Sequence, residues 1–265
     1  MIIKYICSNR DEFSLYSASL AVSDGSYHLY KWIVNKDEEF ERKAQEYDLT
    51  FQLRGTLDER KLILNQMTND FERDIVNQEP GTFVFGEYSI KGYVIESSTH
   101  ASRDMPSRSE RKIKLYCPSG FWVKTSKYNF KTESVKTSNA KKYSYRYPYR
   151  YAASNSLKSV SNEGYSPSNF RMFIYGPASN PTIFVGENKY LVNITLADNE
   201  RLEIDSRNET ILKILEDGTK ENAFHLREKG RNFFKKIPTG VSNVSWSGKI
   251  SFDIEVDVER SEPRW

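Results

Sequence analysis

The chain has 265 residues, 38% of them hydrophobic, which is enough to build one large or two modest cores, and we expect two. Its 39 basic and 36 acidic side chains leave a formal net charge of +3, which excludes a strong overall field for holding DNA or anionic lipid. No run of about 18 apolar residues could span a membrane, and the apolar part of MIIKYICSNRDEF is too short for a signal peptide. We therefore expect a soluble protein made in a cytoplasm.

The N-terminal third alternates strand-like stretches with turn signals. Two of these stretches, residues 27–34 and 47–53, flank the charged segment NKDEEFERKAQE at residues 35–46. Because a charged segment between two strands is typical of a long hairpin loop, we predict an arm here.

One helix is predicted over residues 56–78. Thr56 and Glu59 have the spacing of a capping box, and the helix is expected to end before Pro80. The apolar residues fall near one stripe, which consists of Leu57, Ile63, Leu64, Met67, Phe71 and Ile75. We expect the helix to cover a sheet and to leave its other face open, with Asp58, Arg60, Lys61, Asn65, Asn69, Glu72 and Arg73 on that face.

Strand-like stretches resume after the helix and surround a polar insert at residues 97–110, which we expect to be a mobile loop. The segment at residues 132–142 has the composition of a linker. We therefore predict an N-terminal β domain at residues 1–135 and a second domain at residues 136–265.

The second half contains many short strand-like stretches separated by turns, which is typical of an antiparallel β-sandwich. Its clearest strand runs from Ile250 to Val258. Apolar and mostly acidic residues alternate along it, so one face is apolar and the other acidic. We interpret this strand as part of the core.

Tyrosines occupy every second position from Tyr143 to Tyr151 in KYSYRYPYRYA. In a strand these rings would share one face while Arg146 and Arg150 lie on the other, which disfavours interleaved stacking on nucleic-acid bases. Packing between domains or subunits is the favoured interpretation, and stacking on sugars or nucleic acid is the alternative.

The sequence reveals no catalytic or metal-binding constellation. The three histidines and two cysteines lack metal-ligand spacing, and no phosphate-cradling glycine motif or GxSxG is present. A pair of carboxylates for glycoside hydrolysis could be assembled from 36 acidic residues, but a solvated face explains those residues better. We predict no enzyme, no metal and no cofactor.

The C-terminal stretch GRNFFKKIPTGVSNVSWSGKISFDIEVDVERSEPRW, residues 230–265, resembles the end of the distal tail proteins of long, non-contractile-tailed bacteriophages and related prophages. A phrase like F-K-x-I-P-x-G-x-x-x-V-x-W leads into an alternating strand in that family, and an R-x-P-x-W-like tail follows, to which RSEPRW at residues 260–265 is similar. The length, the strand-helix-strand layout and the tyrosine-rich start of the second half are also similar.

The resemblance implies a mainly β fold: an N-terminal β domain with one α-helix that assembles six-fold into a ring, followed by a galectin-like β-sandwich. It implies a hub of the phage tail tip or baseplate that joins the major tail tube protein to the tail-associated lysin or fibre and to receptor-binding proteins. DNA would pass through the ring without being specifically bound. The protein would assemble in the bacterial host cytoplasm and reside in the virion tail tip.

A cyclic ring needs two different patches at each interface. We predict that one helix face, one arm and the tyrosine segment supply contacts between subunits or domains. The candidate residues are Arg60, Lys61, Asn65, Glu72, Glu38, Glu41, Arg42, Tyr145, Tyr147 and Tyr149.

The galectin-like domain implied by the resemblance leads to an alternative function, the recognition of host cell-wall carbohydrate. Sugar sites present an exposed aromatic face with converging polar groups, and Trp246 and Trp265 are the candidates for it. A third function, an enzyme that degrades cell wall, would need a catalytic constellation that the sequence does not reveal.

Overall fold

The computed structural model describes residues 3–15, 17, 19–25, 28–29, 31–34, 39–101, 108–132, 158–230, 232–247 and 249–264. The chain forms two compact units: unit 1 comprises Met1–Lys124 and Glu259–Trp265, and unit 2 comprises Thr125–Val258. The first change of unit thus lies earlier in the chain than the predicted boundary at residues 135 and 136. That boundary falls within residues 133–157, outside the described residues, and stays a prediction.

Unit 1 is built from antiparallel strands and one α-helix, as predicted. Its elements are β1 (Ile3–Ile6), β2 (Glu12–Ser14), β3 (Leu20–Gly25), β4 (Trp32–Val34), β5 (Phe40–Arg42), β6 (Gln45–Arg54), α1 (Leu57–Val76), β7 (Gly81–Phe85), β8 (Tyr88–Ala101), β9 (Arg108–Cys117) and the start of β10 (Trp122–Phe130). Strands pair in the orders β2-β1-β7-β8 and β8-β9-β6-β3, so the long strand β8 belongs to both sets.

Strand β8 changes partner near Gly92. Gly92 pairs with Gly81 of β7, and the next residue, Tyr93, pairs with Tyr116 of β9. A Cβ atom on Gly92 would lie 2.6 Å from the carbonyl oxygen of Tyr116. Only glycine leaves room for the neighbouring backbone there, which is a known use of glycine inside a strand.

The core of unit 1 lies between these strands and α1. Alternate residues of β6 point inward, and Tyr47, Leu49, Phe51 and Leu53 are all buried, as expected for a strand with one face in a core. Trp122 is 0% exposed. Its ring centroid lies 5.9 Å from those of Tyr47 and Phe83 and 6.4 Å from that of Phe85, which makes it the centre of an aromatic cluster.

Helix α1 begins with the predicted capping box. The side chain of Thr56 accepts a hydrogen bond from the Glu59 N–H at 3.3 Å, and the Glu59 carboxylate accepts one from the Thr56 N–H at 2.8 Å. The sequence prediction of this helix start is therefore confirmed, because capping depends only on residues three positions apart.

Thr56→Ala is expected to lower the free energy of unfolding by about 1 kcal/mol, since one backbone N–H at the start of α1 loses its acceptor. Urea denaturation measures this difference. Thr56→Ser keeps the capping oxygen and should stay close to the wild-type stability; an equal loss for both variants would contradict a capping role.

Unit 2 is a β-sandwich, as the spacing of short strands predicted. Its elements are the remainder of β10, β11 (Lys158–Asn162), β12 (Asn169–Tyr175), β13 (Ala178–Ser179), β14 (Thr182–Val185), β15 (Asn188–Leu191), β16 (Thr195–Leu196), β17 (Arg201–Asp205), β18 (Thr210–Ile214), β19 (Lys220–Asn222), a 3-10 turn at Phe224–Leu226, β20 (Gly240–Trp246) and most of β21 (Ser251–Arg260). One sheet has the order β19-β18-β17-β12-β21-β10 and the other β11-β20-β14-β15.

The apolar face of β21 lies in the core of unit 2, as predicted, with Phe252, Ile254 and Val256 buried. Its acidic face is also largely covered: Glu255 is 8% and Asp257 9% exposed. Cations on the neighbouring strands explain this burial, because Lys127 and Arg171 approach the Glu255 carboxylate to 2.6 and 2.7 Å.

Candidate functional site

The outward face of α1 carries three of the four predicted contact residues on the helix. Lys61, Asn65 and Glu72 are exposed. The same helix also exposes Leu62 and Val76, which lie off the predicted apolar stripe. Leu57 and Ile75, near the two ends of the helix, were predicted on that stripe but are exposed as well. The helix therefore offers a mixed polar and apolar surface to a partner.

Arg60 does not belong to this surface, and its predicted position on the open face is wrong. The side chain is 5% exposed and donates a hydrogen bond from Nη1 to Ser109 Oγ at 2.5 Å. Its Nε donates to the Thr56 carbonyl oxygen at 3.4 Å. Arg60 lies seven residues before Met67, about two helical turns, and therefore on the buried side.

Further polar residues hold α1 on the sheet of unit 1. Arg111 of β9 donates to the Leu64 carbonyl oxygen at 3.1 Å and to Thr68 Oγ1 at 2.9 Å. Near the other end of the helix, Asp74 accepts from the Tyr5 hydroxyl at 2.5 Å and from the Ser8 N–H at 2.9 Å. Burial and this acidic partner raise the Tyr5 pKa, so the hydroxyl stays a donor.

Of the segment 35–46 predicted as an arm, the structure describes residues 39–46. Phe40–Arg42 is the strand β5, which pairs with β4, and residues from Gln45 onward belong to β6. The paired strands β4 and β5 are called the arm below. Trp32 pairs with Arg42, Ile33 with Glu41 and Val34 with Phe40. Trp32, Val34 and Phe40 therefore share one face, and they are 39%, 55% and 68% exposed. Sequence reasoning weighed only the charges of the arm and missed this apolar face, although the apolar residues next to the charged segment were the signal for it.

The three charged arm residues predicted as contacts have different outcomes. Glu41 is exposed, whereas Glu38 lies outside the described residues. Arg42 is half-buried, and its guanidinium lies 4.8 Å from the ring centroid of Trp32 and 3.5 Å from the carboxylate of Glu259. Arg42 thus stabilises the arm where β5 ends, through its contacts with Trp32 and Glu259.

A groove of about 370 Å³ lies on the opposite side of the arm, where Ile33 points. Leu29, Ala44 and Tyr116 contribute further apolar lining, and Lys31 and Lys43 lie at the groove. One short hairpin therefore presents an apolar face on one side and a partly apolar groove on the other.

The predicted tyrosine contacts Tyr145, Tyr147 and Tyr149 lie outside the described residues, as does Trp265. Trp246 is described and packs its ring against the rings of Phe130 and Phe252, with centroids 5.5 and 5.2 Å apart. The ammonium group of Lys158 lies 4.4 Å from the Trp246 centroid. A sugar stacking on that face would have to displace Lys158, so the geometry does not favour the predicted carbohydrate contact.

The described residues contain no group of three or more His, Cys, Asp or Glu side chains that could hold a metal ion. Both cysteines are free thiols, and burial raises the pKa of Cys7 and of Cys117 to about 12. They are therefore protonated at neutral pH and are poor nucleophiles. None of the helices in the described ranges is long and apolar enough to cross a membrane.

Known structures resemble the whole chain. No protein-family model and no curated protein matches the sequence. A chain of the phage P2 baseplate in its activated conformation with Ca has a TM-score of 0.62 at 10% identity, covering 99% of this chain and 100% of that chain; the form with Sr gives the same values.

The crystal structure of SPP1 Dit (gp 19.1), described as a paradigm of the hub adsorption apparatus in Gram-positive infecting phages, has a TM-score of 0.54 at 10% identity. The match covers 98% of this chain and 100% of that protein. Over nearly its entire length, then, this chain has the fold of phage baseplate and hub proteins, which confirms at the level of fold the resemblance to distal tail proteins.

Proposed function

We propose that this protein is a structural hub of a phage tail tip, a distal tail protein that assembles as a ring of six copies. The observation that carries the proposal is the match of the whole fold to baseplate and hub proteins, with all of each matched chain covered. A match to both compact units supports a shared architecture more strongly than a match to one common sandwich would.

The arm of unit 1 supports self-assembly. A hairpin of two three-residue strands is marginal as a free element, and this one hydrogen-bonds to no other described strand while exposing Phe40 and Val34. Trp32, Val34 and Phe40 make this face apolar, and the groove on the other side is partly apolar. The face and the groove therefore match in polarity.

This arrangement is suited to head-to-tail contacts. The apolar face of one arm would enter the groove behind the arm of the next copy, so that two different patches meet at each interface. The exposed residues Lys61, Asn65 and Glu72 of α1 would add polar contacts at the rim. A single heterologous contact, repeated with a rotation of one sixth of a turn between neighbours, would close a ring of six.

In the virion, the ring would join the major tail tube protein to the tail-associated lysin or fibre protein and to receptor-binding components. DNA would pass through the ring without specific recognition, in keeping with the formal net charge of +3. The protein would act as a scaffold and not as an enzyme, assembling in the host cytoplasm before it takes its place at the tail tip.

Light scattering of the purified chain across a concentration series tests the ring, followed by negative-stain images of the largest species. We expect a mass of six copies and particles with an open centre, as the resemblance to distal tail proteins implies. A single-copy mass at every concentration, both alone and with the tail tube protein added as a template, would contradict the proposed ring.

A further inference from the structure

A pocket in unit 2 lies between the β14–β15 turn and the segment Lys235–Pro238. Its volume is about 370 Å³, within the range of small-molecule sites. Gly186 and Glu187 form the turn, and the φ angle of +58° at Gly186 gives it the tight geometry of a two-residue hairpin. The pocket is separate from Trp246, which does not line it.

The walls of this pocket are fixed by hydrogen bonds. Tyr190 of β15 donates from its hydroxyl to the Lys235 carbonyl oxygen at 3.2 Å. Ile237 is buried and exchanges two backbone hydrogen bonds of 2.9 Å with Ser168. Because both sides are held by the fold, the pocket is formed before any molecule enters it.

A buried amide group lies in the pocket wall. The Nδ2 atom of Asn188 is buried, and no acceptor lies in full hydrogen-bond geometry to it. Burial raises the pKa of Tyr190 to about 12, and the Asn188 side chain, which interacts with the Tyr190 hydroxyl, lowers that pKa by a smaller amount. An acceptor on a bound molecule would give this amide donor a better-aligned partner than the Tyr190 hydroxyl does.

The charges around the pocket favour an anion. Lys235 and Lys236 both line it, and within the described part of the chain neither side chain forms an ion pair. Glu187 contributes one opposing charge, which leaves a net charge of about +1 from these three side chains. The pocket is therefore lined by two exposed lysines and the amide of Asn188 together with Val185 and Pro238.

We propose that this pocket binds a sugar or polyol that carries a phosphate or carboxylate group. The lysine ammonium groups and Asn188 Nδ2 would contact the anionic oxygens, since these acceptors match the donors present. The volume is far larger than a single anion needs, and the apolar lining suits the C–H faces of a polyhydroxyl chain. This site goes beyond the hub function and does not depend on ring formation.

Isothermal titration of the full chain with glucose 1-phosphate, glucuronate, inorganic phosphate and glucose tests the site. We expect glucose 1-phosphate or glucuronate to bind, and the one with the higher affinity identifies the preferred anionic group. Inorganic phosphate and glucose should bind more weakly than that ligand. Lys235→Ala with Lys236→Ala should reduce the affinity by on the order of tenfold or more, because charge-assisted hydrogen bonds are lost.

Three further variants make the test specific to the pocket. Asn188→Asp replaces the donor by an anion of the same shape and should also abolish binding. Glu187→Gln should strengthen binding several-fold, which a purely structural role would not do. The matched control is Lys229→Ala with Lys249→Ala, two exposed lysines outside the pocket, which changes the net charge equally and should leave the affinity unchanged.

Defined results would overturn the proposal. Absence of binding by both glucose 1-phosphate and glucuronate would remove the site. Glucose binding as tightly as glucose 1-phosphate would exclude the anionic preference, and inorganic phosphate binding as tightly would exclude the polyhydroxyl part. Equal losses in the Lys235 and Lys236 pair and in the control pair would show an effect of net charge alone.

Discussion

Trp122→Ala is expected to lower the free energy of unfolding of unit 1 by about 3–5 kcal/mol, which approaches the whole stability of many domains. Trp122 is fully buried among Tyr47, Phe83 and Phe85. Truncation removes the apolar transfer free energy of the indole and leaves a cavity that the surrounding strands cannot fill completely. Amide hydrogen exchange measures the loss separately in each unit.

The matched control for this change is Trp32→Ala in the arm. Trp32 is partly exposed and contacts Arg42, so its truncation should cost no more than about 1 kcal/mol. Protection in β6 and β9 should fall in Trp122→Ala and stay close to wild type in Trp32→Ala. Similar losses in the two variants would contradict the assignment of Trp122 to the centre of the core.

Phe40→Asp is expected to convert the proposed six-copy ring into single copies while the fold stays intact. Phe40 has the largest exposed fraction among the apolar residues of the arm. Aspartate removes the large apolar ring that would fill the groove of the next copy, and loss of one central aromatic contact typically costs at least about 2 kcal/mol per interface. Light scattering measures the mass, and circular dichroism verifies the fold.

Phe184→Asp is the corresponding control on unit 2. Phe184 is also an exposed phenylalanine in a strand but lies outside the arm, so this variant should retain the mass of the ring. A ring that forms normally with Phe40→Asp would exclude the arm as the interface while leaving the ring itself possible. Disassembly by both variants would indicate a general effect of added charge.

The sequence alone predicts some parts of the proposed assembly surface and not others. The arm was predicted from a charged segment between two strands, and its existence is a local property. Its apolar face depends on the pairing of Val34 with Phe40, which aligns residues from two strands. The register of the pairing cannot be predicted from the sequence of either strand alone, so only the structure shows which side chains share a face.

Arg60 and Glu255 show why charge alone misassigned some positions. A charged residue was expected on an open face, yet Arg60 is buried against Ser109 and Glu255 is covered by Lys127 and Arg171. Burial of a charge becomes tolerable when partners from distant segments supply hydrogen bonds or opposite charge. Those partners are far away along the chain, and no local pattern identifies them.

By itself, the sequence determined the mainly β character, the capped helix and the apolar face of β21, because each follows from residue spacing within one element. Only the tertiary structure decided which surfaces exist. The pocket at Asn188 and Lys235 joins two segments that the fold brings together through the Tyr190 hydrogen bond. Such surfaces form where residues that are distant in the sequence pack together. The spacing of residues within one strand or helix does not predict which distant segments will meet.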